Sequence, residues 1–507
     1  MKLLPLLFLS TFAAAQVPPN VLISDVNDPE EVSICINPKN TNQLVAGSNI
    51  DNVYRSADGG IHWIIDTLHS QYKVWGDPAI VCDTAGSFYF FHLSWPNFGA
   101  NWIDRIVCQR SDDGGATWAT DTHTGVFHPH QQDKAWAAVN PVNNHIYVTW
   151  TQFDIYGTSN PLDSSIIYFS KSTDRGLTWS VPKRISKHAG DCVDSDNTVE
   201  GAVPAVGSSG EIYVCWSAFD TLWFQKSTDD GATWFAKEKF VATQPGGWDY
   251  MVGGLQRCNG LPVTLCNHAN GNIYINWSDD RAGNHDIYFC RSADGGNSWS
   301  APLRVNDDAT TREQFMSWMA IDQSDGNLYM LYYDRRNYSS DSTDVFLATS
   351  TDDGMNWTNQ KISASPFFPD TSNFFGDYIN ISAANGKIRP IWMRMDGGLT
   401  SVWTALVGDT SSAVLSKTEN GIYGLKNFPN PSSGKTTINF ELRHGGKIKL
   451  DIYNASGKLM LHRDYGLMTA GEHRLPVEKN PEWRSGMYIY ILTMQNGEAV
   501  GKWEIEF

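Results

Sequence analysis

Six copies of one eight-residue pattern, Ser-x-Asp-x-Gly-x-x-Trp, punctuate the first four-fifths of this chain. They run Ser56/Asp58/Gly60/Trp63, Ser111/Asp113/Gly115/Trp118, Ser172/Asp174/Gly176/Trp179, Ser227/Asp229/Gly231/Trp234, Ser292/Asp294/Gly296/Trp299 and Ser350/Asp352/Gly354/Trp357. A period of about 55 to 65 residues means one supersecondary unit repeated, as in solenoids and propellers. The pattern reads as a hairpin staple. The Asp carboxylate accepts backbone N–H bonds across a tight turn, the Gly supplies a left-handed φ, and the Trp folds back as an apolar plug. Asp58, Asp113, Asp174, Asp229, Asp294 and Asp352 are therefore expected to be structural.

Between the staples runs a second repeat: an apolar strand, a Gly or Asn turn, then a strand ending in aromatic residues. Its copies begin near Glu31, Asp77, Asp133, Glu200, Gly260, Phe315 and Asp377. That is one more than the staples. The last copy, followed by a strand at Ser401 to Val407, has no staple and no fourth strand, and the segment Asn20 to Asp25 is placed to supply one and close a ring. Short alternating strands with regularly spaced turns predict an all-β fold, a seven-bladed β-propeller with six blades as the alternative. The staple resembles the Asp-box of the sialidase/neuraminidase superfamily of β-propellers, also called the BNR repeat.

After Val407 the repeats stop. A polar linker, residues 408–422, leads into a region from about Tyr423 whose alternating strands predict a small β-sandwich. Asn427-Phe428-Pro429-Asn430-Pro431, the turn Asn454-x-x-Gly457-Lys458, Gly486-Met487-Tyr488 and Lys502 make this region resemble the C-terminal sorting domain of the Bacteroidota type IX secretion system. The resemblance implies two-step export and the secretion machinery as a partner. A signal peptide is expected over residues 1–15, where an apolar run from Leu3 ends in Ala13-Ala14-Ala15, and the propeller over 16–407. No later stretch is long and apolar enough for a transmembrane helix.

The net charge of −17, from 38 basic and 55 acidic residues, argues against a nucleic-acid or anionic-membrane partner. Of eight cysteines, six sit in apolar strands and read as buried thiols. Cys192 and Cys258 fall in loop-like surroundings and are the pair nominated as a disulfide.

In a propeller the loops leading into the innermost strands form one mouth of the axial tunnel, a usual ligand site. Here they carry Trp75 and Asp77; His128, His130, Asp133 and Lys134; Glu200; Trp248, Asp249 and Tyr250; and Phe374, Phe375, Asp377 and Tyr378. Carboxylates interleaved with rings suit sugars, whose C–H faces stack while their hydroxyls hydrogen-bond. Asp77, Asp133, Glu200 and Asp377 are the candidate acid/base groups. Trp75, Trp248 and Tyr378 are the candidate stacking surfaces. Arg281 and Arg335, at second-strand exits, are candidate contacts to a ligand carboxylate, although neighbouring Asp279 and Asp334 offer them local salt bridges.

The family pattern of an arginine ahead of the first Asp-box has no counterpart, since no Arg occurs before Arg55 of the box strand. Ile388-Arg389-Pro390 has its form but lies at the other end. The sequence therefore predicts an exported glycan-binding propeller. Exo-α-sialidase-type hydrolysis is its enzymatic form, and a non-catalytic propeller binding glycan or protein is the alternative. No cofactor is expected, and no metal, because Pro129 separates His128 from His130. A monomer with a glycan or glycoprotein ligand is expected.

Overall fold

The computed structural model describes residues 17–96, 102–119, 121–408, 422–430, 432–442, 444–454, 458–494 and 497–505. The expected signal peptide lies outside them, as does nearly all of the linker. Every regular element described is a β-strand, and among the described residues no helix is long and apolar enough to cross a membrane. The chain divides into two compact units, Met1–Gly408 and Asp409–Phe507.

The first unit holds seven four-stranded antiparallel sheets among the described residues. Their inner strands are Ser33–Ile36, Ala79–Cys82, Gln131–Val139, Glu200–Val206, Val263–Cys266, Gln314–Ile321 and Asn380–Ala384. Each packs against the next, and the last packs against the first. The last sheet is completed from the N-terminal side: Asn20–Ser24 pairs antiparallel with Leu399–Ala405. Second strands such as Ile146–Phe153, Ile212–Ala218 and Leu328–Asp334 are buried along their whole length. Their apolar runs follow from being covered on both faces by neighbouring sheets. The outermost strand of the first sheet, Ile64–Thr67, is exposed at every residue.

The six repeated motifs lie at equivalent hairpins and make the same bonds. In the fourth, the Ser227 hydroxyl donates to Asp229 Oδ1 at 2.8 Å and accepts the Gly231 N–H at 3.0 Å, while Asp229 accepts the Thr233 N–H at 2.7 Å. Asp58, Asp113, Asp174, Asp294 and Asp352 each accept their own Ser hydroxyl at 2.8 to 2.9 Å. The Trp does more than close its hairpin. Trp179, Trp234, Trp299 and Trp357 stand edge-on to Phe91, Phe169, Phe224 and Phe289 of the preceding sheet, with ring centroids 5.1 to 5.7 Å apart. In the first motif the neighbour is Arg389 of the last sheet, fully buried and donating to Gly59 O at 2.6 Å. Arg389 therefore helps join the last sheet to the first.

The seven inner strands enclose an axial cavity of about 240 Å3, lined by Cys35, Val81, Ala137, Pro204, Leu265, Ile321, Ser382 and their neighbours. All eight cysteines are free thiols, including Cys192 and Cys258, which corrects the nominated disulfide. Cys258 is packed into an apolar cluster with Tyr250, Val252 and Phe315. The Cys192 carbonyl accepts the Gly157 N–H.

In the second unit a three-stranded sheet (Ile422–Phe428, Lys435–Leu442, Gly471–Glu478) and a four-stranded sheet (Leu459–Met468, Gly446–Asn454, Gly486–Met494, Gly497–Ile505) share one core. Ile438, Phe440 and Leu475 of the first meet Ile448, Leu450 and Tyr490 of the second.

Candidate functional site

The inner strands are irregular where they begin. Register breaks fall between Asp133 and Trp136, Glu200 and Val203, and Phe315 and Trp318. At these positions Lys134, Gly201 and Met316 take left-handed φ values of 48°, 82° and 48°, and Glu31 and Asp77 adopt 49° and 52° at the heads of the first two inner strands. Bulges re-aim side chains, and left-handed non-glycine residues persist where surrounding structure holds them. Three of the five are charged, and they meet.

Lys134 is the hub. Its Nζ lies 2.8 Å from Asp377 Oδ2, 3.5 Å from Glu31 Oε1 and 3.7 Å from Asp77 Oδ2. The Asp77 and Asp377 oxygens contact the same nitrogen, so they lie no farther apart than those two lengths laid end to end. Asp377 also accepts a 2.8 Å bond from Arg257 Nε. Arg257 reaches on to Asp194, 3.6 Å away, and stacks over the Phe374 ring. Asn49 donates to Glu31 and accepts the Asp77 N–H, and Asn259 donates to the Asp377 carbonyl. Glu200 is completely buried, with its carboxyl crowded by those of Asp194 and Asp133.

Burial and mutual repulsion set the protonation of this group. Burial would raise Asp377, but the Lys134 ammonium and the Arg257 guanidinium hold it down at about 2. Burial, with the Asp133 charge, pushes Asp77 up to about 6 despite Lys134. Burial and the Asp77 charge raise Glu31 well above the usual range. Burial with Asp194 raises Asp133, and burial with Asp194 and Asp133 raises Glu200 strongly. Burial would lower Lys134, but Asp377, Asp77 and Glu31 keep it firmly protonated. The outcome is ionised Asp377 and Lys134 beside carboxyls that retain protons towards neutrality.

The rim above this cluster is acidic and aromatic. Asp249 is half-buried and pushed to about 6 by burial and by Asp196 and Asp194. Glu30 is raised to about 8 by burial and by Glu31. Trp75 packs edge-on to Trp95 and Trp102, Trp102 packs on Tyr156, and the Tyr156 hydroxyl donates to Asp194 at 2.6 Å. Below, Trp136, Trp318 and Tyr378 form a triangle with centroids 5.9 to 6.3 Å apart. Trp136 and Trp318 line both the axial cavity and the small pocket beside Asp377, so the triangle stands between cluster and tunnel.

Asp77, Asp133, Glu200, Asp377 and Tyr378 are thus brought to one end of the axis, with Trp75 on the rim. Trp248 is buried, its indole N–H bonded to Thr198 O. Tyr378 offers its ring to Lys134, 5.5 Å from the ammonium. Arg281 and Arg335 do not join this cluster and are engaged by local partners. Arg281 folds back on Asp279 and stacks on Tyr288. Arg335 is buried, donating to Thr343 Oγ1 and to Gly253 O in the hairpin that carries Asp249 and Arg257. His128 and His130 turn to different carboxylates, Asp104 and Asp154, and no group of three metal-ligating side chains exists among the described residues. Glu31 as a partner of Asp77, and Arg257, are absent from the sequence-based site. Arg257 lies on a two-stranded hairpin, Asp249–Tyr250 with Cys258–Asn259, that the other repeats lack among the described residues.

Residues 144–440, more than half of the chain, match the family model of the BNR repeat-like domain, and residues 426–506 match that of a secretion system C-terminal sorting domain. No curated protein matches the chain. Among solved structures, the Hadza microbial sialidase Hz136 is similar at 14% identity and TM-score 0.43, over 73% of this chain and 75% of that one. The NanB sialidase from Streptococcus pneumoniae is similar at 11% identity and TM-score 0.43, over 65% and 68%. A PL25 ulvan lyase is similar at 14% identity and TM-score 0.48, over 77% and 96%.

Proposed function

The chain belongs to the BNR repeat-like family and ends in a secretion system sorting domain that directs type IX export to the cell surface or beyond, and from that premise we propose that its propeller binds a glycan at the mouth above Lys134. The observation that carries this reading is the convergence of Glu31, Asp77, Lys134, Glu200 and Asp377, from five different sheets, beneath a half-exposed aromatic rim. Ring faces at Trp75, Trp102 and Phe374 suit the apolar face of a sugar, and rim carboxylates suit its hydroxyls. Asp77, Asp133, Glu200 and Asp377 are too deeply buried to touch a sugar ring. We assign them a positioning role, fixing Lys134, Arg257 and the field at the rim.

Hydrolysis is a second reading, supported by Asp249, a half-buried carboxyl raised to about 6 by burial and by Asp196 and Asp194, which suits a general acid. A glycan array paired with a reporter-sugar hydrolysis panel tests both. Binding that is lost in Trp75→Ala supports the mouth, and turnover that is lost in Asp249→Asn supports the acid. Binding without turnover on any reporter leaves a binding propeller, and no retention of any glycan overturns the glycan reading.

A further inference from the structure

We propose that the outer edges of the third and fourth sheets form a docking strip for an anionic polysaccharide, one that carries sulfate or carboxylate groups, separate from the mouth. The chain has a net charge of −17, yet this face gathers cations. The outermost strand of the third sheet is Lys183–Arg184, followed by Lys187 and His188, and that of the fourth is Lys239–Thr243, preceded by Lys237. The outermost strands described in the other sheets hold at most one Lys or Arg each. From Arg175 to Gly190 there are four Lys or Arg and no Asp or Glu.

These cations are oriented without being neutralised. Arg184 donates to the Ser186 and Lys187 carbonyls at 2.7 and 2.9 Å, Lys183 donates to the Ala232 carbonyl of the fourth sheet, and Lys239 lies over the Phe235 ring at 5.4 Å. Lys187 and Lys237 are exposed and make no ion pair among the described residues. The acids close by are engaged. Asp230 is taken by Lys171, and the buried Glu238 accepts the N–H groups of Lys187 and His188 and meets the His188 ring at 3.1 Å, which draws the two edges together. Beside the cations stand three rings: His188 lies 5.3 Å from Trp223, and Trp223 pairs across strands with Phe240, which is 56% exposed. Rings suit the C–H faces of sugars, and ammonium and guanidinium groups suit sulfate or carboxylate. A thin polyanionic chain can follow such a strip and stay clear of the acidic remainder of the molecule. A flat anionic membrane brings that remainder within about 8 Å, the distance over which physiological salt leaves charges unscreened.

The test titrates the full chain with dextran sulfate, unsulfated dextran, polyglutamate and phosphatidylglycerol vesicles. Dextran sulfate is expected to bind at least about tenfold more tightly than each of the others, and to weaken as salt is raised. Lys187→Glu with Lys237→Glu, both exposed, is expected to weaken it by about a further tenfold. Lys39→Glu with Lys458→Glu, exposed side chains elsewhere that change the net charge equally, and Trp75→Ala at the mouth are expected to leave it unchanged. Phe240→Ala is expected to cost about threefold on dextran sulfate and to leave any residual polyglutamate binding unaltered. No binding of dextran sulfate, or an equal loss in the two lysine pairs, overturns the strip. Loss in Trp75→Ala with none in Lys187→Glu/Lys237→Glu moves the polyanion to the mouth and overturns the strip while leaving the glycan reading of the mouth intact. Polyglutamate or vesicles bound as tightly as dextran sulfate overturn the polysaccharide as its occupant.

Discussion

The Lys134 ammonium lies 2.8 Å from the Asp377 carboxylate although 243 residues separate them in sequence. The pair joins the third sheet to the seventh across the mouth, inside a cluster where both members are buried. Removing one member of a buried pair leaves an uncompensated charge, which costs about 3 to 5 kcal/mol. Lys134→Met is expected to fall in that range by urea unfolding at neutral pH, and Lys134→Met with Asp377→Asn to recover part of the loss. A neutral effect of Lys134→Met would show that the acids hold their places without it.

Stability is expected to fall as pH rises from mildly acidic to mildly alkaline. Asp77 and Asp249, raised from 3.8 to about 6, and Glu30, raised from 4.5 to about 8, bind protons more tightly folded than unfolded. Their contribution is complete below the unfolded value and is lost as pH climbs through the folded one. Asp377 runs the other way: lowered to about 2, it contributes above 3.8 and loses that contribution as pH drops towards 2. Melting temperature followed by circular dichroism should therefore peak on the acid side, and Glu30→Gln should flatten the upper part of the decline. A melting temperature that rises steadily from pH 5 to 8 contradicts this.

The repeated motif makes a graded prediction. Ser227→Ala removes a buried hydroxyl that both donates to Asp229 and accepts from Gly231, so a loss of about 1 to 3 kcal/mol is expected in chemical denaturation. Gly231→Ala should be worse. Gly231 sits at φ 81°, and an added Cβ would come within 2.3 Å of the Phe169 ring. If Gly231→Ala were the milder change, the contact between sheets would be softer than its geometry.

Export has its own readout. The unit ending at Gly408 carries its own closed set of sheets, so deletion of residues 422–507 is expected to leave a folded propeller that accumulates in the periplasm. Cell fractionation with limited proteolysis checks both halves of that statement. Appearance of the truncated, folded protein in the medium at normal yield counts against the sorting role.

The fold was legible because its repeats are. Six copies of one motif at a period of about 55 to 65 residues and seven similar inner strands fix an all-β ring, and the unpaired segment at Asn20 found its partner as its position demanded. The site was legible only to the level of which strand ends meet. Asp133 and Lys134 are adjacent in sequence, and the bulge that swings Lys134 towards three carboxylates has no compositional sign. Arg257 escaped notice because it lies on a hairpin outside the repeat register. Arg281 and Arg335 stand apart from the cluster, each engaged by its own partners, Asp279 for one and Thr343 with Gly253 for the other. Cys192 and Cys258 misled, since loop-like surroundings say nothing about where sulfur atoms point.

The strand Asn20–Ser24 hydrogen-bonds to Leu399–Ala405, pairing Val21 with Thr404. The first strand described therefore waits on one made almost four hundred residues later. Whatever order the intervening sheets take, the ring cannot lock until both halves of this clasp are present, and a chain interrupted before Ala405 keeps an open sheet edge. A pairing across so long a stretch of chain is expected to form late in folding, and its C-terminal half is encoded just ahead of the segment that addresses the protein for export.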